Sequence, residues 1–547
     1  MTWIHPLSAE VEETADVLGG KAHGLVVLHR LGLPVPPGFV ITTRACRDYL
    51  RTGQPPAGLD AELAAAVAGL EAATHRKLGG PGRPLAVSVR SGGSVSMPGM
   101  MSTVLNLGLT TGATAALAEE TGDLRFALDS RLRFLTSFAS EVVGVGPERL
   151  AGVEGTLSGQ DAGTDRLAEA VRSVERLIAE RHGDGVPEDA TRQLELAIEA
   201  VFSSWNTPRA KTYRELHGIP HDLGTAVTVQ AMVFGNRDGR SGTGVAFSRD
   251  PNTGEQVPFG EALFGCQGED VVSGTSLTEP LSALAAREPE VWDRLLSALA
   301  RLEEHYRDAC YVEFTFEAGE LWILQVRPGK FVGRAAVRVA VDLADAGTIG
   351  REEALLRVSP RHLTHVRTPR ITGIEPGELF TRGLGASPGV AVGRVATTAD
   401  SAARLASQGP VILLRPETSP LDMHGLAAAA GVVTARGGPT SHAAVVARSM
   451  GKPAVVGAAS LTVDAAGGCV RAGGRTLAEG TLVAVDGTGG EVVLGRPRVA
   501  TTGADAHLRR LLRWADDVTG ESGRTQDESA RLAAAQTRLR SRTANTG

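Results

Sequence analysis

The sequence predicts an α/β protein with more than one domain. Its 547 residues exceed the length at which a single hydrophobic core stops growing, so two or three domains are expected. Buried-strand patterns alternate with helical ones, for example at 431–434 and 453–456, which lie on either side of a helical stretch. Hydrophobic residues make up 42% and charged residues 22% of the chain, which is typical of a globular protein.

Charge and cysteine content exclude several classes of protein. A net charge of −6 is small for this length, so general binding of nucleic acid is not expected. The cysteines form no C-x-x-C pair, which argues against a zinc site and a disulfide framework; they are Cys46, Cys266, Cys310 and Cys469. The sequence shows neither a signal-peptide pattern nor an apolar run of bilayer length, so we expect a cytoplasmic location without a membrane. The oligomeric state is not legible.

A glycine turn opens the first informative stretch. Gly19 and Gly20 precede Lys21, and residues 25–31 have helical spacing. Glycines followed by a lysine suggest a phosphate contact, although the G-x-x-x-x-G-K-[ST] pattern of a P-loop is not present. On these residues alone, a structural turn is the better interpretation.

A strand followed by a polar loop is predicted next. Residues 86–90 alternate as a strand that ends at Arg90, and the following loop of serines and glycines includes Ser96 and Gly99. Hydroxyls and free N–H groups beside an arginine can hold a triphosphate. A flexible surface hairpin would explain the glycines alone.

Helical spacing then indicates an insertion at about 110–200, and the sequence indicates no function for it. Alternating residues at 227–231 and a turn at 239–244 predict a hairpin, which suits a purine clamp or any half-buried sheet. A pair of strands is predicted at 311–316 and 321–326.

That strand pair carries a candidate metal site. Glu313 and Gln325 would face one cavity from neighbouring strands, and a carboxylate with an amide oxygen is a donor set that suits Mg²⁺ bridging phosphates. Arg327 would follow as a phosphate clamp. A buried ion pair between Glu313 and Arg327 is the structural alternative.

The second half of the chain predicts a linker, a compact domain and a tail. Residues 335–379 are interpreted as a linker with helical stretches, residues 380–497 as a compact β/α domain, and residues 498–547 as a helical or disordered tail.

His442 stands in the most informative stretch of that domain. Thr440 or Ser441 is a candidate N-cap, residues 443–448 are helical, and Gly451 ends the helix. A neutral imidazole can attack phosphorus without a separate base, and a helix N-terminus favours the resulting anion. A lone histidine is more often structural, but the residues around this one favour a nucleophile.

Residues 437–448, Gly-Gly-x-Thr-Ser-His-Ala-Ala-Val-Val-Ala-Arg, resemble the phosphohistidine signature of the pyruvate phosphate dikinase and phosphoenolpyruvate synthase group. The loop after Arg90 and the stretches at 205–210, 224–236, 241–247 and 267–274 also resemble the dikinase. The resemblance covers residues 19–516. It implies an ATP-grasp nucleotide-binding domain at 1–334 and a swivelling phosphohistidine domain at 380–497.

The resemblance also implies the ligands and the roles of individual residues. ATP is the implied substrate and Mg²⁺ the cofactor, with His442 transiently phosphorylated, Arg90 catalytic, and Glu313 and Gln325 holding the metal. The implied nucleotide contacts are Lys21, Arg90, Ser96, Gly99, Glu269, Glu313, Gln325 and Arg327. Ser102 and Tyr311 depart from the family, which commonly has an acid at each position, and these departures bear on the number of metals and the rate of phosphate cleavage.

The sequence indicates least about the molecule that accepts the phosphoryl group. The residues after 497 are too few for the dikinase's C-terminal barrel of roughly 250 residues, which binds pyruvate or phosphoenolpyruvate. We therefore expect a separately encoded partner to carry that site, with pyruvate and inorganic phosphate as candidate acceptors, and no phosphoenolpyruvate from this chain alone. Two alternatives stay open: a rifampin-type phosphotransferase, and a degenerate nucleotide-binding regulatory protein.

Overall fold

A computed structural model describes the chain over residues 2–95, 97, 100–155, 163–273, 278–329, 331, 333–363, 366, 369–375, 377–439, 441–501, 506–520 and 527–544. The chain forms two compact units: residues 1–237 with 322–326, and residues 238–321 with 327–547. Helices and sheets are mixed in both, which confirms the predicted α/β multidomain class. Across the described ranges, no helix has the length and apolar character that crossing a bilayer requires.

The first unit is built on one antiparallel sheet. Its strands are β1 (Ile4–Pro6), β2 (Gly38–Ile41), β3 (Lys77–Leu78), β4 (Pro84–Leu85), β5 (Val87–Gly92), β6 (Thr103–Leu107) and β7 (Ala226–Ala231). Its helices are α1 (Ala15–Arg30), α2 (Thr43–Thr52), α3 (Leu59–Thr74), α4 (Thr111–Thr121), α5 (Leu124–Phe138), α6 (Pro147–Gly155), α7 (Thr164–His182), α8 (Ala190–Ser204) and α9 (Pro208–His217).

The sheet has the order β1-β2-β7-β5-β6, and β3 pairs separately with β4. Strand β7 is buried along its whole length, because helices and neighbouring strands cover both of its faces. Helices α5 to α8 share the sheet's core, which contains Phe134, Phe138 and Phe202. The pairing of β5 with β7 sets Arg90 opposite Thr228.

The second unit contains the remaining elements. Its strands are β8 (Gly242–Phe247), β9 (Phe259–Phe264), β10 (Glu279–Pro280), β11 (Cys310–Glu317), β12 (Glu320–Pro328, of which 322–326 belong to the first unit), β13 (Pro369–Thr372), β14 (Leu379–Arg382), β15 (Leu384–Ser387), β16 (Val390–Ala396), β17 (Val411–Arg415), β18 (Gly431–Thr434), β19 (Ala454–Val456), β20 (Thr462–Asp464), β21 (Cys469–Ala472), β22 (Arg475–Ala478), β23 (Leu482–Asp486), β24 (Glu491–Leu494) and β25 (Arg498–Thr501). Its helices are α10 (Gly268–Ser273), α11 (Ala283–Arg287), α12 (Pro289–Tyr306), α13 (Gly333–Asp345), α14 (Arg351–Arg357), α15 (Pro360–Leu363), α16 (Ala399–Ala406), α17 (Met423–Ala428), α18 (His442–Ser449), α19 (Ala506–Thr519) and α20 (Glu528–Ala544).

Two sheets dominate this unit. One has the order β10-β9-β8-β11-β12, and the other, here called the His442 sheet, has the order β14-β24-β23-β16-β17-β18-β19-β15. Within the His442 sheet, β16 to β19 run parallel to one another. Along β17, Val411 and Leu413 enter one hydrophobic core, while Ile412 and Leu414 enter another. Both faces of these strands are therefore buried, as is usual for parallel strands.

The segments before and after the His442 sheet pack together. Helices α13, α14, α19 and α20 share one hydrophobic core that contains Leu343, Leu355, Trp514 and Leu532. Strands β13 and β25 pair in antiparallel fashion, with Pro369 opposite Thr501. Residues 335–379, interpreted from sequence as a linker, thus contribute helices to a packed core and a strand to a ribbon.

Asp486 joins this ribbon to the His442 sheet. Its carboxylate is fully buried and accepts hydrogen bonds from the N–H groups of Ile371 at 2.8 Å and of Thr488 and Gly489 at 2.9 Å. It also pairs with Arg370 Nε at 3.1 Å. A buried carboxylate with this many donors stabilises the fold only while each donor keeps an acceptor.

We expect Asp486→Asn to destabilise the His442 sheet by about 2–4 kcal/mol, because the amide breaks the ion pair and turns an N–H₂ group toward backbone donors. Hydrogen exchange measured by mass spectrometry on peptides from β16, β23 and β24 should report the loss. Asp464→Asn is the control, since Asp464 accepts from Gly467 N–H at 2.8 Å but its side chain is 36% exposed. Equal protection in both variants would contradict the expectation.

Candidate functional site

Lys21 and the strand that carries Arg90 meet at one edge of the first unit's sheet. Helix α1 is kinked at Gly19, where φ is 75° and ψ is 153°, and Gly20 N–H donates to the Gly93 carbonyl at 3.0 Å. A Cβ on Gly19 would overlap the Gly92 carbonyl oxygen, so only glycine permits this approach. This contact places the backbone of Lys21 beside the end of β5. The glycine turn that the sequence predicts is therefore a kink within helix α1.

Arg90 and two buried polar groups lie in the same unit. Arg90 Nη2 donates to Gln230 Oε1. Thr228 Oγ1 and Gln325 Nε2 are buried, and neither has a hydrogen-bond partner among the described residues. A buried polar atom without a partner costs about 1–3 kcal/mol, so both groups are suited to face a ligand. Thr228 was not predicted, because nothing distinguishes it from other alternating residues of a strand.

Other predicted contacts divide between the units. Ser96 and Gly99 lie outside the described residues. Glu269 is exposed on the short helix α10 in the second unit. Because Glu313 and Gln325 belong to different units, the cavity they would share stays a prediction.

Glu313 and Arg327 both contact Tyr311. The Tyr311 hydroxyl donates to Glu313 Oε1 at 3.2 Å, and the Arg327 guanidinium carbon lies 6.0 Å from the centre of the Tyr311 ring. Within the described residues Glu313 and Arg327 do not form the ion pair that was the structural alternative.

Glu313 and Gln325, the predicted metal ligands, carry the kinds of oxygen atom that Mg²⁺ takes as ligands. The described residues contain no group of three or more His, Cys, Asp or Glu side chains arranged to hold a metal. Mg²⁺ dehydrates reluctantly and is usually bound by one or two carboxylates together with substrate phosphates. The Glu313 carboxylate therefore fits Mg²⁺ bound with a nucleotide, rather than a metal in an all-protein cage, while Gln325, in the other unit, stays a predicted ligand.

His442 is the first residue of α18. Its Nδ1 lies 3.1 Å from Thr418 Oγ1, and Ser441 at the N-cap has a buried hydroxyl without a hydrogen-bond partner in the described part of the chain. Thr440 lies outside the described residues. The helix ends at Ser449, and Gly451 follows with φ of 65°. A helix N-terminus with an unpartnered hydroxyl is suited to bind an anion at His442.

The environment of His442 keeps its ring neutral. Burial lowers the pKa of His442 below its ordinary value, and the nearby Asp422 carboxylate opposes this shift. A neutral imidazole carries one proton and one lone pair. When Nδ1–H donates to Thr418, the lone pair is on Nε2, which is then the nucleophilic atom.

Thr418 and Asp422 belong to the loop after β17, and sequence analysis missed them both. Asp422 Oδ2 accepts from Ser419 N–H at 2.9 Å, and Arg415 Nη2 lies 3.4 Å from Asp422 Oδ1. These contacts fix the loop and join it to the end of β17. Thr418 precedes His442 by 24 residues, so their contact depends on the pairing of β17 with β18, which local sequence patterns do not reveal.

Helix α18 also packs against the β8–β9 part of the neighbouring sheet. Glu261 is 1% exposed and accepts from Thr278 Oγ1 at 2.6 Å. Its carboxylate lies so close to Gly438 that a Cβ there would overlap it. Asn252 Nδ2 donates to the Gly385 carbonyl at 3.1 Å.

Arg448, six residues after His442, extends this contact. Its guanidinium carbon lies 5.8 Å from the centre of the Phe247 ring. Burial lowers the pKa of Arg448 to about 10, an effect opposed by Glu261, Tyr311 and Asp250. The guanidinium therefore remains charged at neutral pH and is attracted to the acidic groups of this sheet.

Two family models match the chain. The model described as "Pyruvate phosphate dikinase, AMP/ATP-binding domain" matches residues 15–78 and 51–296. The model described as "PEP-utilising enzyme, mobile domain" matches residues 407–490, which include His442.

Curated relatives are similar over most of the chain. A protein of Zea mays named "Pyruvate, phosphate dikinase 2" is 43% identical over 514 residues, which cover 92% of this chain and 58% of the relative. A "Pyruvate, phosphate dikinase" of Rhizobium meliloti (strain 1021) is 42% identical over 552 residues, which cover 96% of this chain and 62% of the relative. The chain thus spans about three fifths of the length of these relatives.

We expect Asp422→Asn to lower the pKa of His442 further, because the substitution removes the carboxylate that opposes the effect of burial. The titration of the His442 ring, followed by NMR in protein labelled at histidine Cε1 and assigned with His442→Gln, should shift to lower pH. Asp400→Asn is the matched control, since Asp400 pairs with His424 Nε2 at 2.9 Å on the surface. A His442 titration that is unchanged or moves to higher pH in Asp422→Asn would refute the assignment.

Proposed function

Because the chain belongs to the pyruvate phosphate dikinase family, we propose that it is an ATP-dependent phosphotransferase that moves a phosphoryl group from ATP to His442 and then to an acceptor. The observation that carries this proposal is the neutral His442 ring at a helix N-terminus, beside the unpartnered Ser441 hydroxyl. In the first step the Nε2 lone pair attacks the β-phosphorus of ATP and forms an N–P bond. The bond from this phosphorus to the oxygen of AMP breaks, its electron pair leaves with that oxygen, and the γ-phosphoryl group stays attached until inorganic phosphate accepts it.

The donor site of this proposal is a nucleotide-binding domain of the ATP-grasp type at 1–334, with its helical insertion at about 110–200. Lys21 and Arg90 neutralise phosphate charge, and the loop with Ser96 and Gly99 supplies N–H and hydroxyl donors. Glu269 and Arg327 are further nucleotide contacts in this proposal.

Glu313 and Gln325 would hold Mg²⁺ in this site. When bound, the metal would neutralise phosphate charge. In this proposal Gln325 Oε1 would bind the metal, and Nε2, which is buried and lacks a partner among the described residues, would be free to donate to a phosphate oxygen.

The carrier in this proposal is the domain at 380–497, which moves between donor and acceptor, with 335–379 as its linker and 498–547 as the tail. Pyruvate and inorganic phosphate are the proposed acceptors, because the relatives are named pyruvate, phosphate dikinases. The site for pyruvate would lie outside the three fifths of the relatives' length that this chain spans. The proposal includes a cytoplasmic location and neither nucleic acid nor a membrane as partner.

We expect the chain to label itself when it is incubated with Mg²⁺ and ATP that carries isotope in the β-phosphate. The label should be acid-labile and stable to alkali, as a phosphoramidate is, and a parallel incubation with γ-labelled ATP identifies the transferred group. His442→Ala is the control. Label that persists in this variant would refute the role of His442. Loss of the γ-label on addition of phosphate would identify phosphate as an acceptor. Loss of the β-label on addition of pyruvate, together with the C-terminal part of a relative that this chain does not cover, would identify pyruvate.

Arg90→Ala and Glu313→Ala should each slow the labelling of His442 by about 10²–10³, since each removes a preorganised charge from the donor site. Initial labelling rates measured by quenched flow test this expectation. Arg294→Ala and Glu320→Ala are matched controls, because these residues form an exposed ion pair at 2.7 Å. Near-normal labelling in Arg90→Ala or Glu313→Ala would place the nucleotide elsewhere.

A further inference from the structure

Tyr311 contacts both a proposed metal ligand and an aromatic neighbour. Its hydroxyl donates to Glu313 Oε1 at 3.2 Å, and its ring centre lies 5.1 Å from that of Phe247, with an interplanar angle of 58°. The hydrogen bond thus ties the orientation of the Glu313 carboxylate to the position of the Tyr311 ring.

Phe247 also contacts helix α18. The Arg448 guanidinium lies 5.8 Å from the Phe247 ring centre, within the distance of a cation–π contact. Its Nε and Nη2 atoms are buried and have no hydrogen-bond partner among the described residues. The ring and the charges of Glu261 and Asp250 are thus what attract this guanidinium. A chain of contacts runs from α18 through Arg448, Phe247 and Tyr311 to Glu313.

We propose that Tyr311 is a positioning residue that orients Glu313 toward the nucleotide-bound metal and couples this orientation to the docking of α18. The proposal rests on the proposed function, in which Glu313 holds Mg²⁺. The hydrogen bond from the Tyr311 hydroxyl to Oε1 restrains the orientation of the Glu313 carboxylate, and the lone pairs that remain would be available to the metal. Partners that orient a metal ligand in this way commonly change metal affinity by 10- to 100-fold when they are removed.

The coupling follows from the shared ring contacts. While Arg448 lies against Phe247, the Phe247 and Tyr311 rings are restrained, and the hydroxyl keeps its hydrogen bond to Glu313. Once α18 leaves with its phosphoryl group, Phe247 loses its cation and Tyr311 loses a restrained neighbour. The metal and the spent nucleotide are then held less tightly. By linkage, bound metal and nucleotide favour the docked position of α18 by the same factor.

Binding of Mn²⁺ in the presence of ATP tests the first part of the proposal without measuring turnover. Full-length His442→Ala serves as the reference, because transfer to the histidine cannot occur, and free Mn²⁺ is counted by EPR. Tyr311→Phe, which keeps the ring and removes the hydroxyl, should raise the Mn²⁺ dissociation constant about 10-fold. Tyr49→Phe is the control, since it removes a hydroxyl that lies 3.3 Å from Ser203 Oγ in the other unit. Unchanged Mn²⁺ affinity in Tyr311→Phe would overturn the proposal.

A double-mutant cycle tests the coupling. Arg448→Met should raise the Mn²⁺ dissociation constant by roughly 3- to 10-fold in the reference chain and have little further effect in Tyr311→Phe, because both changes break one chain of contacts. The thermal midpoint of unfolding shows whether Arg448→Met is folded. If it is not, Phe247→Leu replaces it in the cycle, because this substitution breaks the same chain of contacts without altering charge. Additive effects would overturn the coupling.

The outcomes distinguish this inference from the proposed function. If the unsubstituted chain labels at His442 and Glu313→Gln weakens Mn²⁺ binding, but Tyr311→Phe binds as the reference does, the role of Tyr311 is wrong and the phosphotransferase stands. If the unsubstituted chain neither labels nor binds Mn²⁺ with ATP, the proposed function is wrong and this inference falls with it.

Discussion

The parallel pairing of β17, β18 and β19 determines where the chemistry of the second unit is located. Parallel strands end at the same edge of a sheet, so the segments that follow β17 and β18 leave the sheet side by side. Thr418 follows the first of these strands and His442 follows the second. The hydroxyl and the imidazole therefore meet although 24 residues separate them. Without this register, α18 would begin elsewhere, and neither Asp422 nor Ser441 would lie beside the histidine.

Local sequence was sufficient where a single segment carries the signal. The helix that begins at His442 was predicted because its cap, its alanine-rich face and the glycine beyond it are consecutive. Ala443, Ala444 and Ala447 face the core and are small enough to let the helix lie close to the sheet. The partners of His442 were not predicted, since Thr418 and Asp422 stand in a loop whose own pattern indicates only a turn. Tertiary pairing brings them to the histidine, and a single sequence does not reveal that pairing.

The two departures from the family pattern acquire a physical setting in the structure. Ser102 is buried, and its N–H donates to Ser204 Oγ at 3.3 Å, so this position is occupied by packing rather than by a free acid. The Tyr311 ring packs against Phe247, and the Tyr311 hydroxyl donates a hydrogen bond to Glu313. Sequence comparison marks such positions as losses of charge. The contacts show that the lost carboxylate at 311 is replaced by a donor to the carboxylate that remains.

The ribbon of β13 and β25 has a consequence for how this protein can change in evolution. Because Pro369 pairs with Thr501, the chain enters and leaves the His442 sheet at adjacent points, about 5 Å apart. Helices α13 and α14 on one side of this insertion and α19 and α20 on the other share a core of their own. The inserted residues are bounded by paired structure but are not independent of it, because Ile371 of the ribbon packs against Ala484 and Val493 of the His442 sheet. An exchange of the inserted residues between proteins would therefore have to carry the ribbon with it.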